Sequence, residues 1–140
     1  MRSRSNANFF HLIRTITSLV YVRIIRLPIK ILLSLKGINY GKQITFVGFP
    51  IASRSPGSKL TIGNYCTFRS SKRSNLIGIN RPCYISTISS EASIIIKDKC
   101  GFSGTVIGAE KSIIIGNNVR CGANTLITDS DWHSDDPRTS

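Results

Sequence analysis

The chain has 140 residues and a formal net charge of +12, enough length to bury one core and too little for two. Residues 1–90 hold fourteen Lys or Arg and no Asp or Glu, whereas residues 91–140 hold five bases and seven acids. A half this basic disfavours cationic partners and attracts anionic ones, with phospholipid, nucleic acid and acidic polysaccharide as the candidate classes.

In chain order, a polar stretch over residues 1–8 is followed by a strongly apolar one from Phe9 to Leu35. Arg14, Arg23, Arg26 and Lys30 interrupt that segment, which argues against a spanning helix of about 20 apolar residues. No small-residue cleavage site follows, which argues against a signal peptide. On a helical wheel Arg23, Arg26 and Lys30 share one face, and Val20, Ile24, Leu27, Ile31 and Leu35 lie on the other. Pro28 is expected to divide the segment into two helical pieces. A purely basic amphipathic helix suits the interface of an anionic bilayer, and its apolar side equally suits capping the open end of a repeat domain. Both roles stay open. His11, inside this segment, reads as structural.

The division expected is a basic amphipathic helical segment over 1–36 and a repeat domain over 37–140. GINYGKQITFVG, from Gly37, reads as an opening strand, with Ile44 in a first, irregular coil. SRSPGSK at Ser53 and SSKRSN at Ser70 carry turn residues and read as loops leaving the coil. They lack the interspersed aromatic residues of a single-strand platform, so no nucleic-acid partner is expected.

Four copies of one phrase follow: LTIGNYCTF from Leu60, IGINRPCYI from Ile77, IIIKDKCGF from Ile94 and IIIGNNVRC from Ile113. They lie 17, 17 and 19 residues apart. A period near 18 made of six-residue steps is not helical, and β-branched phrases with Gly and Asn at the turns favour short strands. One phrase cannot bury its inward side chains, but stacked coils can, so the pattern specifies an all-β solenoid of about five coils. Inward positions are expected at Ile62, Ile79, Ile96 and Ile115 on one face and at Phe68, Ile85, Phe102 and Cys121 on the next. Cys66, Cys83 and Cys100 are expected to stack about 4.8 Å apart as small buried side chains. That shared repeat position argues against a disulfide scaffold, and with no CxxC spacing and two histidines far apart no metal site is expected. From Ile115 the six-residue step continues through Cys121 and Ile127 to His133.

The phrases IGNYCT, IKDKCG and IGNNVR followed by CGANTL resemble the hexapeptide repeat of the left-handed parallel β-helix acyltransferases. ITDSDWHSDDPR, from Ile127, resembles the catalytic segment of the branch that O-acetylates galactosides, maltose and nodulation factors. The left-handed coil comes from this resemblance, since crossover connections are generally right-handed. The resemblance implies an O-acetyltransferase that uses acetyl-CoA as co-substrate, with no bound cofactor, on a sugar or polysaccharide hydroxyl. It also implies a homotrimer with active sites between subunits, at the cytoplasmic face of a bacterial membrane.

His133 would be the general base, since a neutral imidazole with a pKa of about 6.5 can take the acceptor's proton at neutral pH. Asp129 or Asp131 would hold its other ring nitrogen, unless both serve turn chemistry in an Asp- and Ser-rich loop. Trp132 would offer the sugar an apolar platform or cover a corner, and Arg138 would bind substrate or hold the loop. Ser103 stands where these enzymes usually place an acceptor-contacting Asn. The family's chain normally continues with coils that build much of the pantetheine groove, so an incomplete acyltransferase is expected. The alternative is a non-catalytic β-helix that binds anionic membrane or polymer through its basic half.

Overall fold

The structure, a computed structural model, describes residues 2–131, with side chains from residue 8 onward. The described residues form one α-helix, one 3-10 turn at Lys72–Ser74 and three parallel four-stranded sheets. The helix α1 spans Arg2–Leu35. The strands are β1 (Asn39–Tyr40), β2 (Thr45–Val47), β3 (Ile51–Ser53), β4 (Lys59–Ile62), β5 (Thr67–Arg69) and β6 (Tyr84–Thr87). They continue with β7 (Ser93–Ile96), β8 (Gly101–Ser103), β9 (Val106–Ala109), β10 (Ser112–Ile115), β11 (Arg120–Ala123) and β12 (Leu126–Thr128). The sheets are ordered β1-β4-β7-β10, β2-β5-β8-β11 and β3-β6-β9-β12. Successive strands thus visit the three sheets in turn, and each return adds a strand in parallel register, an arrangement compatible with a parallel β-helix.

Stacking places like residues on like. Phe46, Phe68 and Phe102 form an interior column with ring centroids 5.8 and 5.1 Å apart, each ring almost fully buried. Ile62, Ile96 and Ile115 align along the first sheet, and Ala52, Ile85, Ile107 and Ile127 along the third. Corners repeat as well. The side chain of Asn64 accepts the Lys42 N–H at 2.8 Å, that of Asp98 accepts the Asn64 N–H at 2.7 Å, and that of Asn117 accepts the Asp98 N–H at 3.0 Å. The residue directly after Lys42, Asn64, Asp98 and Asn117 turns left-handed at this corner in each circuit: Gln43, Tyr65, Lys99 and Asn118.

This register corrects the repeat in one place. Leu60 pairs directly with Ile94, so IGINRPCYI is not a first-sheet strand, and Ile77 lies 88% exposed in the connection between β5 and β6. The described residues make four circuits, not five. Ile79 is a buried residue of that connection, outside the Ile62 column. Ile85 belongs to the third sheet, so Phe46 takes the place expected for it in the phenylalanine column. Cys66 and Cys100 do stack, immediately before the paired Thr67 and Gly101, whereas Cys83 precedes β6 at another corner. Ile44 occupies the position of Cys66, and the first-circuit counterpart of Ile62 is Tyr40. The cause of the misreading is physical: every face of the coil repeats the same six-residue pattern of inward residue and corner. A phrase on one face therefore reads like a phrase on another.

Helix α1 closes the first circuit. Ile25, Ile29 and Leu33 are buried in the same core cluster as Ile38, Ile44 and Phe46. At its C-terminus Gly37 adopts φ +65, with the Gly37 N–H donating to Ser34 and the Ile38 N–H to Leu33, both at 2.9 Å. This Schellman turn sets Leu33 and Ile38 together in the core and so selects the face that packs. The face expected to be apolar, Val20, Ile24, Leu27, Ile31 and Leu35, is the outer one and is exposed throughout. Pro28 does not split the helix. Its ring and the Ile24 carbonyl that loses a partner both lie on the solvent side, while Ile25 and Ile29 hold both halves against one core. Among the described residues no helix is long and apolar enough to cross a membrane.

Phe68 and Ile77 occupy comparable phrases, yet one is fully buried and the other exposed. Phe68→Ala is expected to cost about 3–5 kcal/mol in denaturant unfolding, whereas Ile77→Ala should cost under about 0.5 kcal/mol.

Candidate functional site

Ser103 ends β8 with its side chain on the outer surface of the second sheet, half buried. In-register pairing sets it beside Arg69 of β5, and Thr67, Gly101 and Arg120 complete a groove of about 380 Å³. Gly101 is the floor of that groove: a Cβ there would meet the Arg120 guanidinium at 2.7 Å. Arg120 therefore lies across a residue without a side chain. Opposite Ser103 the pairing of β11 slips between Cys121 and Ala123, leaving Gly122 as an extra residue in a bulge. Bulges of this kind re-aim side chains and gather beside functional surfaces. Two guanidinium groups and two hydroxyls, with no carboxylate among the lining residues, present donors to oxygen-rich or anionic ligands.

The connection over residues 70–83 clasps this region from one side. Arg69 donates to the Ser74 carbonyl at 2.8 Å, and Arg81 donates to the Asn124 carbonyl at 2.8 Å. The Asn80 N–H donates to the Asn124 side chain at 3.0 Å. Gly104 (φ +54) lies beneath it, where a Cβ would approach the Arg81 carbonyl oxygen to 2.9 Å and the Ile79 side chain to 3.0 Å. The same connection forms a second cleft with α1, lined by His11, Arg14 and Arg73.

Asp129 has a definite structural task. Its carboxylate accepts the backbone N–H groups of Glu110, Lys111 and Ser112 at 2.7, 2.9 and 2.6 Å. Desolvation pushes its pKa up, but those N–H groups together outweigh it and hold the group below the usual carboxylate range. All three N–H groups bracket the β9–β10 corner to the segment that follows β12, so Asp129 fastens that segment; the imidazole of His133 lies outside the described residues. Asp131 is exposed at the end of the described residues. Trp132, His133 and Arg138 lie outside them.

All four cysteines are free. Burial pushes the thiols of Cys66, Cys83 and Cys121 up, which disfavours the nucleophilic thiolate. The Cys66 and Cys100 thiols donate to the carbonyls of Lys97 and Gly116 at 3.2 and 3.0 Å, bonding one circuit to the next. Their role is packing.

Of the residues singled out from sequence, the described site contains Ser103, and it adds Arg69 and Arg120. Sequence spacing does not reveal these partners, because the connection over 70–83 separates Arg69 from Ser103 in the chain. Searches of family models, curated proteins and solved structures find no match for this chain.

The lowered carboxyls of Asp129 and Asp98, the latter held down first by the Asn64 backbone N–H, give stability a pH dependence. Their folded pKa lies below the unfolded one, so the stabilisation is complete above the unfolded range of about 3.9 and is lost as pH falls through the folded value. Thermal unfolding followed by circular dichroism should show the midpoint falling below about pH 4. Asp129→Asn should lower the midpoint at neutral pH, for a loss of about 1 kcal/mol of stability as for a lost cap-like carboxylate, and flatten that acid dependence.

Proposed function

We propose that the chain is a left-handed parallel β-helix acyltransferase of the hexapeptide-repeat kind, moving an acetyl group from acetyl-CoA to a sugar or polysaccharide hydroxyl. The observation that carries this reading is the register of the last circuit. Ile115, Cys121 and Ile127 take successive inward positions on β10, β11 and β12, packed on the core, and the next six-residue step is His133. The Asp129 bracket supports it, because it fixes where the segment toward His133 leaves the third sheet.

In this reading His133 takes the proton of the acceptor hydroxyl as its oxygen attacks the thioester carbonyl carbon. Backbone N–H groups stabilise the tetrahedral oxyanion. Its collapse breaks the carbon–sulfur bond, and the departing thiolate takes the proton from the imidazolium. Ser103 hydrogen-bonds the acceptor and Trp132 offers its ring an apolar platform. Asp131 and Arg138 serve substrate binding at the rim of the site. Arg69 and Arg120 extend the acceptor surface along the second sheet. The working form is a homotrimer on the cytoplasmic side of the membrane, with each site completed between subunits.

Acetyl-CoA thioester cleavage, followed by thiol release with oligosaccharide acceptors, tests the reading. His133→Ala should lower the rate by about two to four orders of magnitude, the usual worth of a general base. Equal rates for the two proteins would remove the catalytic reading and leave the binding of anionic surfaces as the function.

A further inference from the structure

Only Ile25, Ile29 and Leu33 of α1 are buried, so the outer side of this helix is an uncovered apolar face. Ile13, Ile16, Val20, Ile24, Leu27 and Ile31 recur along it every three or four residues, each at least 43% exposed. Residues 8–21 are exposed all round, apart from the shallow cleft beside residues 71–76. A helix half without a packed face is marginal in water, because most helical stability comes from burying one side. Something covers this face.

Charge selects the occupant. Arg23, Arg26 and Lys30 run along one flank of the stripe, and Lys30 stands 5.5 Å from the centre of the Tyr40 ring, at the border between helix and strand. No Asp or Glu occurs anywhere in residues 1–90. Pairing this face with a second copy would set bases against bases without the opposite charges that flank a coiled-coil seam. An anionic phospholipid bilayer supplies both an apolar interior for the stripe and negative charge for its flank.

We infer that α1 lies in the plane of an anionic phospholipid bilayer, with its outer face among the upper acyl chains and its inner face capping the first circuit. This goes beyond the proposed reaction and does not depend on His133. It also sets an orientation. The first circuit sits at the membrane, and β10–β12 lie on the far side, three strand spacings or about 14 Å further out. The groove around Ser103 thereby opens toward water rather than lipid.

Flotation of the protein with vesicles tests it, comparing phosphatidylcholine alone with an equal mixture of phosphatidylcholine and phosphatidylglycerol. Binding to the mixed vesicles should be stronger by on the order of a hundredfold, from three flanking bases near the surface, and should weaken as salt is raised. The double variant Val20→Glu, Ile24→Glu, at exposed positions, should lose binding while unfolding at the same temperature as wild type. Ile114→Glu, equally exposed on the first sheet, should bind as wild type does. Equal binding to both vesicle types, or unchanged binding by the double variant, would overturn the inference. So would sedimentation showing that the double variant turns an oligomer into a monomer with lipid binding intact, which would assign the face to a second copy.

Discussion

Parallel, in-register stacking of one circuit on the next is the constraint from which the rest of the structure follows. It requires that the residue above an inward side chain also be inward and apolar, which the chain meets with three phenylalanines in one column and mostly aliphatic residues in the others. The backbone of each interior strand is satisfied by neighbours on both sides, so very short strands suffice. Corners are bound by the same logic: Asn64, Asp98 and Asn117 each cover a backbone N–H of the neighbouring circuit.

Such a stack has two ends, and its ends are where its core is open. At the first circuit α1 solves the problem by burying a narrow row, Ile25, Ile29 and Leu33, over Ile44 and Phe46. The Schellman turn at Gly37 fixes the helix's rotation, because it must bring Leu33 and Ile38 into the same core. Rotation then determines what is left outside. The wider apolar row faces away, and its basic flank gives that surface a chemical preference.

The long connection over residues 70–83 links fold and candidate site. It interrupts the second circuit, returns across the corner formed by Gly104 and Asn124, and is pinned there by Asn80 and Arg81. Arg69, at its root, is thereby set beside Ser103 and Arg120. An irregular excursion can lie on a regular stack because the stack supplies unpaired corner carbonyls to bind it.

The repeat's six-residue step was legible in the sequence along the last circuit, where Ile115, Cys121 and Ile127 follow one another at that interval. Gly37 as the end of a helix and the two Ser-rich turns could be read in the same way. Circuit assignment could not, since all faces share one local pattern, and only strand pairing distinguishes Cys83 from Cys66 and Cys100. The packing face of α1 was equally hidden, because the segment is apolar on more than one side and the turn after it makes the choice. The three N–H donors that Asp129 accepts from a preceding corner were also hidden, because they come from 17 to 19 residues earlier in the chain. The sequence by itself determined charge and the local periodicity that runs through Ile115, Cys121 and Ile127, all properties of neighbours along the chain. Tertiary structure decided which faces meet and which side chains share the groove, because those depend on contacts across long separations that closing the core brings together.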